Sequence, residues 1–327
     1  MYALHFECTQ LFELEDEREF GMSRPFEELV AKVKNFEMKK VSVAVAQDAA
    51  VIDAVRMAKD RGIATAILVG DEDKIKAVAA SINTDISDFE IVDVKDDIEA
   101  SLTAVKLVRD GVADMYMKGL LQTKDFLKSV LNKEVGLRTG SALSHVCVFD
   151  VKGWDHLMFL TDVAFIPYPT LEDKKAMIEN VLPVTSACGV TNPKVAPLAA
   201  VEVVNPKMPC TVEAAELTRM NKEGEITGCI VDGPLSLDLA IEPEAALHKG
   251  ATDRAIQGDA DVLLFPDIHA GNLVYKAMVH TADVINGNML TGTKAPVILT
   301  SRSDSAEVKV NSLALGALVA EYQKNNR

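Results

Sequence analysis

Short apolar segments alternate with amphipathic segments of helical length from residue 25 onwards, and this alternation constrains the fold more than any other feature. The first cycle predicts a helix at residues 25–36, a strand at 41–46 and a second helix at 49–61. Strands that alternate with helices of this length form a mostly parallel sheet covered on both faces. The sequence therefore predicts an α/β protein.

The alternation continues to the end of the chain. Further strands are predicted at residues 64–69, 89–94, 114–117, 144–149, 157–160, 194–199, 226–231, 262–265 and 297–300. Further helices are predicted at residues 74–81, 98–109, 123–132, 171–182, 212–222, 244–249 and 271–283, and a last helix is predicted to begin at Ser303 or Asp304. A chain of 327 residues is long enough for two domains with separate cores.

Composition and charge exclude several classes of protein. The chain is 48% hydrophobic, yet no apolar run approaches the length of a membrane span. Its formal net charge of −15 argues against a general nucleic-acid surface. Residues 1–24 are rich in acid and lack the pattern of a secretory signal, so we expect an acidic appendage there, with Met22 as an alternative start. A cytoplasmic protein that binds neither membrane nor nucleic acid is expected.

The cysteines predict neither a disulfide framework nor a metal site. All five are scattered, with no CxxC pair and no histidine at ligand spacing. Cys147 lies two residues after His145, which leaves a nucleophilic cysteine as an alternative, although this spacing on a strand serves packing equally well. We expect reduced core thiols.

The junction between the predicted strand at 297–300 and the last helix has the features of an anion site. Ser301 and Arg302 follow the strand directly, and Ser303 or Asp304 would cap the helix. Unpaired N–H groups at a helix N-terminus attract anions, and a guanidinium suits phosphate. The alternative is an ordinary capped turn.

Other strand ends also carry polar side chains, and in parallel sheets ligands bind outside the carboxyl ends of strands. Lys118 follows an apolar strand and precedes a glycine, where a phosphate would be met. The remaining candidates at strand ends and in the loops beside them are Arg138, Asp162, Asp232, Asp267, His269, Asn272 and Lys276. Turns and caps are the alternative for each, and Asp267 with His269 offers too few ligands to favour a metal.

Several long segments resemble the signature segments of the phosphate acyltransferase family, the phosphotransacetylases and phosphotransbutyrylases. The segments are FPDIHAGNLVYK, VDGPLSLD, SRSDS, FLTDVAFIPYPT and MKGLLQTKDFLKSVLNKEVGLRTGSALSHV. They resemble the butyryl and branched-chain branch more closely than the acetyl branch. The similarity runs from Phe26 to the C-terminus.

This resemblance implies two doubly wound α/β domains that flank a cleft, as in isocitrate and isopropylmalate dehydrogenases. Residues 25–142 plus 300–327 would form the first domain and residues 143–299 the second. The implied enzyme reversibly transfers a short or branched acyl group between coenzyme A and inorganic phosphate, without an acyl-enzyme, a metal or a tightly bound cofactor. Coenzyme A is then a substrate, and a homodimer or larger homo-oligomer is expected.

The resemblance also implies roles for three residues at the junction. Arg302 would hold phosphate, and Ser301 would help to stabilise the tetrahedral centre. The acetyl enzymes place an aspartate seven residues beyond the serine as the base for the coenzyme A thiol, and here that position is Val308. Asp304 is the candidate that we carry forward as a catalytic residue, with Glu307 as an alternative. The cleft arginine of the acetyl enzymes has two candidate counterparts, Lys128 and Arg138.

The substrate-binding set implied by these segments comprises Lys118, Arg138, Asp162, Asp232, Asp267, His269, Asn272 and Lys276. Phosphate acetyltransferase is the alternative within the class. A decarboxylating 3-hydroxyacid dehydrogenase-like oxidoreductase is the alternative from another class, but it would need a cluster of acidic metal ligands that the sequence does not supply. A non-catalytic coenzyme A-binding protein is a third possibility, which the loaded strand ends disfavour.

Overall fold

The structure, a computed structural model, describes residues 25–301 and 304–326. The predicted acidic appendage at residues 1–24 lies outside the described residues, as do Arg302 and Ser303. The fold is a mixed α/β structure built on one sheet of eleven strands. The strands are β1 (Lys39–Ala44), β2 (Ala64–Gly70), β3 (Glu90–Asp93), β4 (Met115–Lys118), β5 (Ser144–Val151), β6 (Leu157–Thr161), β7 (Lys194–Pro197), β8 (Ile230–Val231), β9 (Val262–Leu264), β10 (Val284–Thr291) and β11 (Val297–Ile298).

Eleven helices of the described residues connect and cover these strands. They are α1 (Pro25–Val33), α2 (Ala49–Asp60), α3 (Glu72–Ser81), α4 (Asp97–Arg109), α5 (Thr123–Val130), α6 (Leu171–Ala187), α7 (Pro209–Lys222), α8 (Leu237–Ile241), α9 (Pro243–His248), α10 (Ile268–Thr281) and α11 (Ala306–Asn325). Side-chain caps begin several of them. Asp48 caps α2, Asp96 caps α4, and Thr170 with Asp173 forms a capping box at α6.

The sheet consists of two parallel groups joined by two antiparallel strands. Its order is β3-β2-β1-β4-β11-β10-β5-β6-β9-β7-β8. The antiparallel pairs are β11–β10, β10–β5 and β5–β6, and every other neighbouring pair is parallel. Three successive reversals make the group from β3 to β11 run opposite to the group from β6 to β8. The carboxyl ends of the two groups therefore lie at opposite edges of the sheet.

The C-terminal segment returns to the N-terminal strands. Strand β11 lies parallel to β4, with Val297 opposite Tyr116, and α11 packs against α1, α2, α6 and β10. Strand β10 was not predicted from the sequence, because Asn286, Gly287 and Asn288 interrupt its apolar pattern with residues that are rare in strands. The predicted boundary after residue 299 falls just beyond β11.

The hydrophobic core is continuous on one face of the sheet and divided on the other. On the first face a single cluster extends from Val43 on β1 to Val231 on β8 and includes Val146 on β5. The second face has one cluster around Tyr116 on β4 and a separate one around Phe149 on β5. Since side chains alternate between faces along a strand, the gap between these two clusters is a place where polar residues of β5 and β10 share a face.

Candidate active site

Three buried polar side chains of β5 and β10 occupy this gap, and we call them the polar strip: His145, Asn286 and Asn288. Their neighbours in sequence, such as Val146 and Met289, belong to the continuous cluster, so the strip residues face the other way. The strands are in register with Asn288 opposite Cys147. The strip residues are only 2–5% exposed. Buried polar groups normally have hydrogen-bond partners. The Nδ1 atom of His145 and the Oδ1 atom of Asn288 have none among the described residues.

Helix α10 lies over the polar strip through Tyr275. The Tyr275 ring centroid is 5.7 Å from that of Phe149, and its hydroxyl lies beside the side-chain amides of Asn288 and Asn286. Burial raises the pKa of the Tyr275 hydroxyl well above its usual value, and the negative charge of Asp304 adds to this effect. The hydroxyl is therefore a neutral hydrogen-bonding group above the strip at physiological pH.

The turn from Ser301 to Asp304 approaches the same place from β11. The Ser301 N–H donates to Asp304 Oδ2 at 2.7 Å, and the Asp304 N–H donates to the Ser301 carbonyl at 3.2 Å. The charge of Asp304 influences the pKa values of His145, Cys147 and Tyr275, so its carboxylate lies close enough to the polar strip to act on it electrostatically. Ser301 and Asp304 are thus brought together with the strip, whereas Arg302 lies outside the described residues.

The start of α11 differs from the predicted one. We expected Ser303 or Asp304 as the N-cap, but the cap is Ser305, whose side chain accepts the Val308 N–H. Asp304 cannot cap the helix because its carboxylate closes the preceding turn on Ser301. The turn is therefore one residue longer than the pattern indicated.

Lys309 supports this turn through its side chain. It was not identified from the sequence as a candidate site residue. Its side chain is buried, and Nζ lies 2.5 Å from the Asp304 carbonyl and 3.5 Å from the Ser301 carbonyl. The available signal was its position four residues before Leu313, inside the apolar stripe of α11.

Lys118 leaves the sheet at the same edge as Ser301. It ends β4, and the parallel pair Met117 and Ile298 sets β4 beside β11. Lys118 is buried, and its Nζ lies 3.3 Å from the Gly119 carbonyl. Alternation along β4 places its side chain on the face that carries the polar strip, because Met117 belongs to the opposite face.

Asp162 ties β6 to β5 directly beside His145. Its Oδ2 accepts the His145 N–H at 2.8 Å, and its Oδ1 accepts the N–H groups of Ala164 and Phe165, each at 2.7 Å. The peptide bond between Thr161 and Asp162 is cis. The carboxylate predicted to bind substrate is thus engaged by three backbone donors, and in this role it positions the histidine of the strip.

The four candidates on and before α10 follow the end of β9. Asp267 caps the helix, accepting the N–H groups of His269 and Ala270. Asn272 donates to the Val163 carbonyl at 2.9 Å, while the His269 ring contacts the exposed Tyr168 hydroxyl at 2.8 Å and Lys276 is exposed.

Gly271 allows α10 to approach β6 this closely. A Cβ atom at Gly271 would stand 2.3 Å from the Asp162 carbonyl oxygen. The same helix that carries these candidates is therefore held against Asp162 by backbone contact.

Of the two other candidates, Asp232 lies apart from this group, and Arg138 lies beyond the end of β10 that pairs beside His145. The Asp232 carboxylate is held by Arg254 and by the N–H groups of Ala255 and Ile256. Asp232 follows β8, four strands from β5 in the sheet order, which corresponds to roughly 19 Å. Arg138 is exposed and its backbone bridges Thr293, two residues beyond Thr291, which pairs with Ser144 beside His145.

Cys147 is poorly suited to act as a nucleophile, and Glu307 is poorly suited to act as the base. Burial raises the pKa of the Cys147 thiol well above its usual value, and the nearby Asp304 charge adds to this. Glu307 forms a two-toothed ion pair with Arg61, at 2.6 and 2.7 Å, which lowers the pKa of its carboxyl group. The Asp304 carboxylate and the His145 ring are described groups beside the strip that could exchange a proton.

The His145 ring is held mainly as the neutral imidazole. Burial lowers its pKa, and the charges of Asp162 and Asp304 oppose that effect. In the described residues no three histidine, cysteine or acidic side chains form a possible metal site, and none of their helices has the length and apolar character to span a bilayer.

Comparison with known proteins decides the family. The model of the phosphate acetyl/butaryl transferase family matches residues 25–102 and 97–317. The chain belongs to this family. It is 56% identical over 299 residues to the phosphate butyryltransferase of Clostridium acetobutylicum, covering 91% of this chain and 99% of that protein. Membership makes the chain an acyltransferase, and the family expected from the sequence motifs is confirmed.

Solved structures agree with this assignment. A branched-chain phosphotransacylase from Enterococcus faecalis superposes with a TM-score of 0.77 and 34% identity, covering 86% of this chain and 99% of the other. A 4-hydroxythreonine-4-phosphate dehydrogenase from Burkholderia phymatum superposes with a TM-score of 0.52 at 12% identity, covering 87% of this chain and 99% of the other. The second likeness concerns the fold alone.

Proposed function

We propose that this phosphate acyltransferase reversibly transfers a short or branched acyl group between coenzyme A and inorganic phosphate. The observation that carries the proposal is the convergence of the Ser301–Asp304 turn, Lys118 and the polar strip on one face of the sheet, between two separate cores. Cationic and hydrogen-bonding groups gathered there suit an anionic nucleophile and a thioester carbonyl.

The site in this proposal lies in a cleft between two doubly wound α/β domains. Residues 25–142 plus 300–327 form the first and residues 143–299 the second. The division of the core on one face and the opposite directions of the two parallel groups support this arrangement. The likeness in fold to a dehydrogenase agrees with the expected dehydrogenase-like architecture.

In the proposed reaction a phosphate oxygen attacks the thioester carbonyl, and the carbon–sulfur bond breaks from the tetrahedral centre. Arg302 and Lys118 neutralise the phosphate, and Ser301 donates to the developing oxyanion. The coenzyme A thiolate leaves and takes the proton that the attacking hydrogen phosphate gives up; in reverse, the thiol gives its proton to a base, which passes it to the departing phosphate. Asp304 fills this role in the proposal, because its charge acts on His145, whereas the Asp162 carboxylate is already occupied by three backbone N–H donors.

The remaining candidates divide into two groups in this proposal. One side of the substrate site is formed by α10, through His269, Asn272 and Lys276. Asp267 caps the N-terminus of this helix. Asp162 acts through His145 rather than on substrate. Asp232, which lies four strands from β5, and the exposed Arg138 would meet the distal parts of coenzyme A.

Phosphate-dependent release of free thiol from acyl-CoA tests the reaction. The purified chain is assayed with acetyl-, butyryl-, isobutyryl- and isovaleryl-CoA, with and without inorganic phosphate. We expect release only with phosphate, and faster turnover of butyryl or branched substrates than of acetyl-CoA. Equal release without phosphate would indicate a hydrolase, and a preference for acetyl-CoA would favour phosphate acetyltransferase.

Arg302→Ala tests where phosphate binds. Removing a charge-assisted contact that strengthens during the transfer typically costs about 3 kcal/mol, or roughly a hundredfold in rate. Lys should rescue poorly because it lacks the planar fork. Arg219→Ala is the matched control, since Arg219 is an exposed helix residue paired with Glu216. A folded Arg302→Ala enzyme with near-normal kinetics would remove Arg302 from the site.

A further inference from the structure

Lys309 carries a buried ammonium group that contacts two backbone carbonyl oxygens and no carboxylate of the described residues. Its residue surface is 3% exposed, and its Nζ contacts the carbonyl oxygens of Asp304 and Ser301. Among residues 25–301 and 304–326, no aspartate or glutamate forms an ion pair with it. The two nearest carboxylates in sequence are engaged elsewhere, because Glu307 pairs with Arg61 and Asp304 accepts the Ser301 N–H.

This arrangement is unfavourable for the free protein on two counts. A buried ammonium loses its hydration, and that loss is normally offset by a paired carboxylate. Lys309 also lies in the first turn of α11, where the positive end of the helix dipole repels a cation. Two other buried lysines obey the usual rule, because Lys39 pairs with Glu321 and Lys174 pairs with Glu213.

The two carbonyl contacts hold the Lys309 ammonium in place, and they show that it organises the Ser301–Asp304 turn. Both acceptors belong to the turn that carries Ser301 and leads through Arg302 into α11. Carbonyl dipoles compensate an ammonium only partly, so an anion bound at this turn would complete the compensation. A cation at a helix N-terminus becomes favourable when an anion binds between the cation and the unpaired N–H groups of that helix end.

We propose that Lys309 is a positioning residue of the phosphate subsite, whose buried ammonium holds the Ser301–Asp304 turn and provides the positive charge that inorganic phosphate neutralises. This inference rests on the proposed function. The sequence motif would assign the affinity for phosphate to Arg302 alone. The inference assigns part of that affinity to Lys309 on α11.

Three variants separate charge from position. Lys309→Met removes charge and donors, Lys309→Gln keeps donors for the carbonyls without charge, and Lys309→Arg keeps both. Lys39→Met is the matched control, because Lys39 is equally buried and contacts the opposite end of the same helix. Each protein is assayed for KM of phosphate at saturating acyl-CoA, and for KM of acyl-CoA at saturating phosphate.

We expect Lys309→Met and Lys309→Gln to raise the KM for phosphate by on the order of ten- to a hundredfold, with the KM for acyl-CoA changed less than about threefold. Lys309→Arg should recover at least half of the lost affinity on a logarithmic scale. Lys39→Met should melt at a lower temperature than the wild type and keep both KM values.

Binding of inorganic phosphate alone gives a readout that needs no turnover. Phosphate should raise the melting temperature of the wild type and of Lys39→Met, and should raise that of Lys309→Gln far less. Equal phosphate protection and an unchanged phosphate KM in Lys309→Gln would overturn the inference. If Lys309→Met does not fold, Lys309→Gln and Lys309→Arg still decide the question. A wild type with no phosphate-dependent thiol release would instead refute the proposed function.

Discussion

Replacing Asp162 by Asn should destabilise the protein strongly, because its carboxylate is enclosed by backbone donors. One oxygen accepts from His145, and the other accepts from Ala164 and Phe165. The Asn side chain can accept at only one of these two positions. The less costly orientation keeps the oxygen on Ala164 and Phe165 and places an NH2 group against the His145 N–H.

The cost follows from the bonds that this orientation loses. One charge-assisted hydrogen bond contributes about 1.5–3 kcal/mol, and an unsatisfied buried donor costs about 1–3 kcal/mol. Part of this overlaps, since the lost bond and the orphaned donor are the same event. We expect a loss of about 3 kcal/mol in the free energy of unfolding, against a typical total of about 5–15 kcal/mol.

Urea unfolding followed by circular dichroism measures this loss. Asp267→Asn is the control, because Asp267 accepts both of its N–H donors through one oxygen and Asn caps helices equally well, so its midpoint should hardly move. Suppose that Asp162→Asn unfolds at the wild-type urea concentration and yet loses a hundredfold in turnover. The carboxylate would then be a substrate ligand, as the sequence predicted, and the structural reasoning would be wrong.

Three further outcomes follow from the structure. Iodoacetamide at neutral pH should modify the half-buried Cys210 before Cys229, because burial raises the pKa of Cys229 to about 11; timed alkylation with peptide mass mapping would show the order, and faster labelling of Cys229 would contradict it. A hydrogen bond from Lys95 chiefly lowers the pKa of Asp71 from 3.8 to about 2, so the carboxylate contributes stability above pH 4 and loses it as the pH falls towards 2. Asp71→Asn should therefore lower the melting temperature at pH 6 and lower it much less at pH 2, and an equal shift at both pH values would argue against this ion pair. Glu307→Gln should keep turnover within a few-fold, since its carboxylate is already committed to an ion pair, and a hundredfold loss would identify it as the base.

Helix α6 shows where local sequence rules give way to packing. The predicted helix at residues 171–182 ends directly before Pro183, and proline removes a backbone donor and disfavours the helix before it. The helix continues to Ala187, with Pro183 inside it. Buried contacts of Val181 and Val184 with the continuous core outweigh the local penalty.

Some residues of the candidate site follow from local sequence, and others are brought together only by tertiary packing. Ser301, Asp304 and Lys118 were identified from the sequence, because polar residues directly after apolar strands are a local signal and the family motifs repeat it. The polar strip was not, because His145 and the two asparagines on β10 lie 141 or more residues apart and meet only when their strands pair.

The sequence by itself determined the α/β class, most of the strands and helices, and the family, because periodicity and motif are properties of neighbouring residues. Only the tertiary structure decided the strand order, the reversal between the two parallel groups and the division of the core on one face. It also decided that Lys309 stands unpaired by any described carboxylate beneath the Ser301–Asp304 turn, while Asp162 is enclosed by backbone donors. A side chain's partners depend on segments that are distant along the chain, and no local pattern records which of those segments will pack against it.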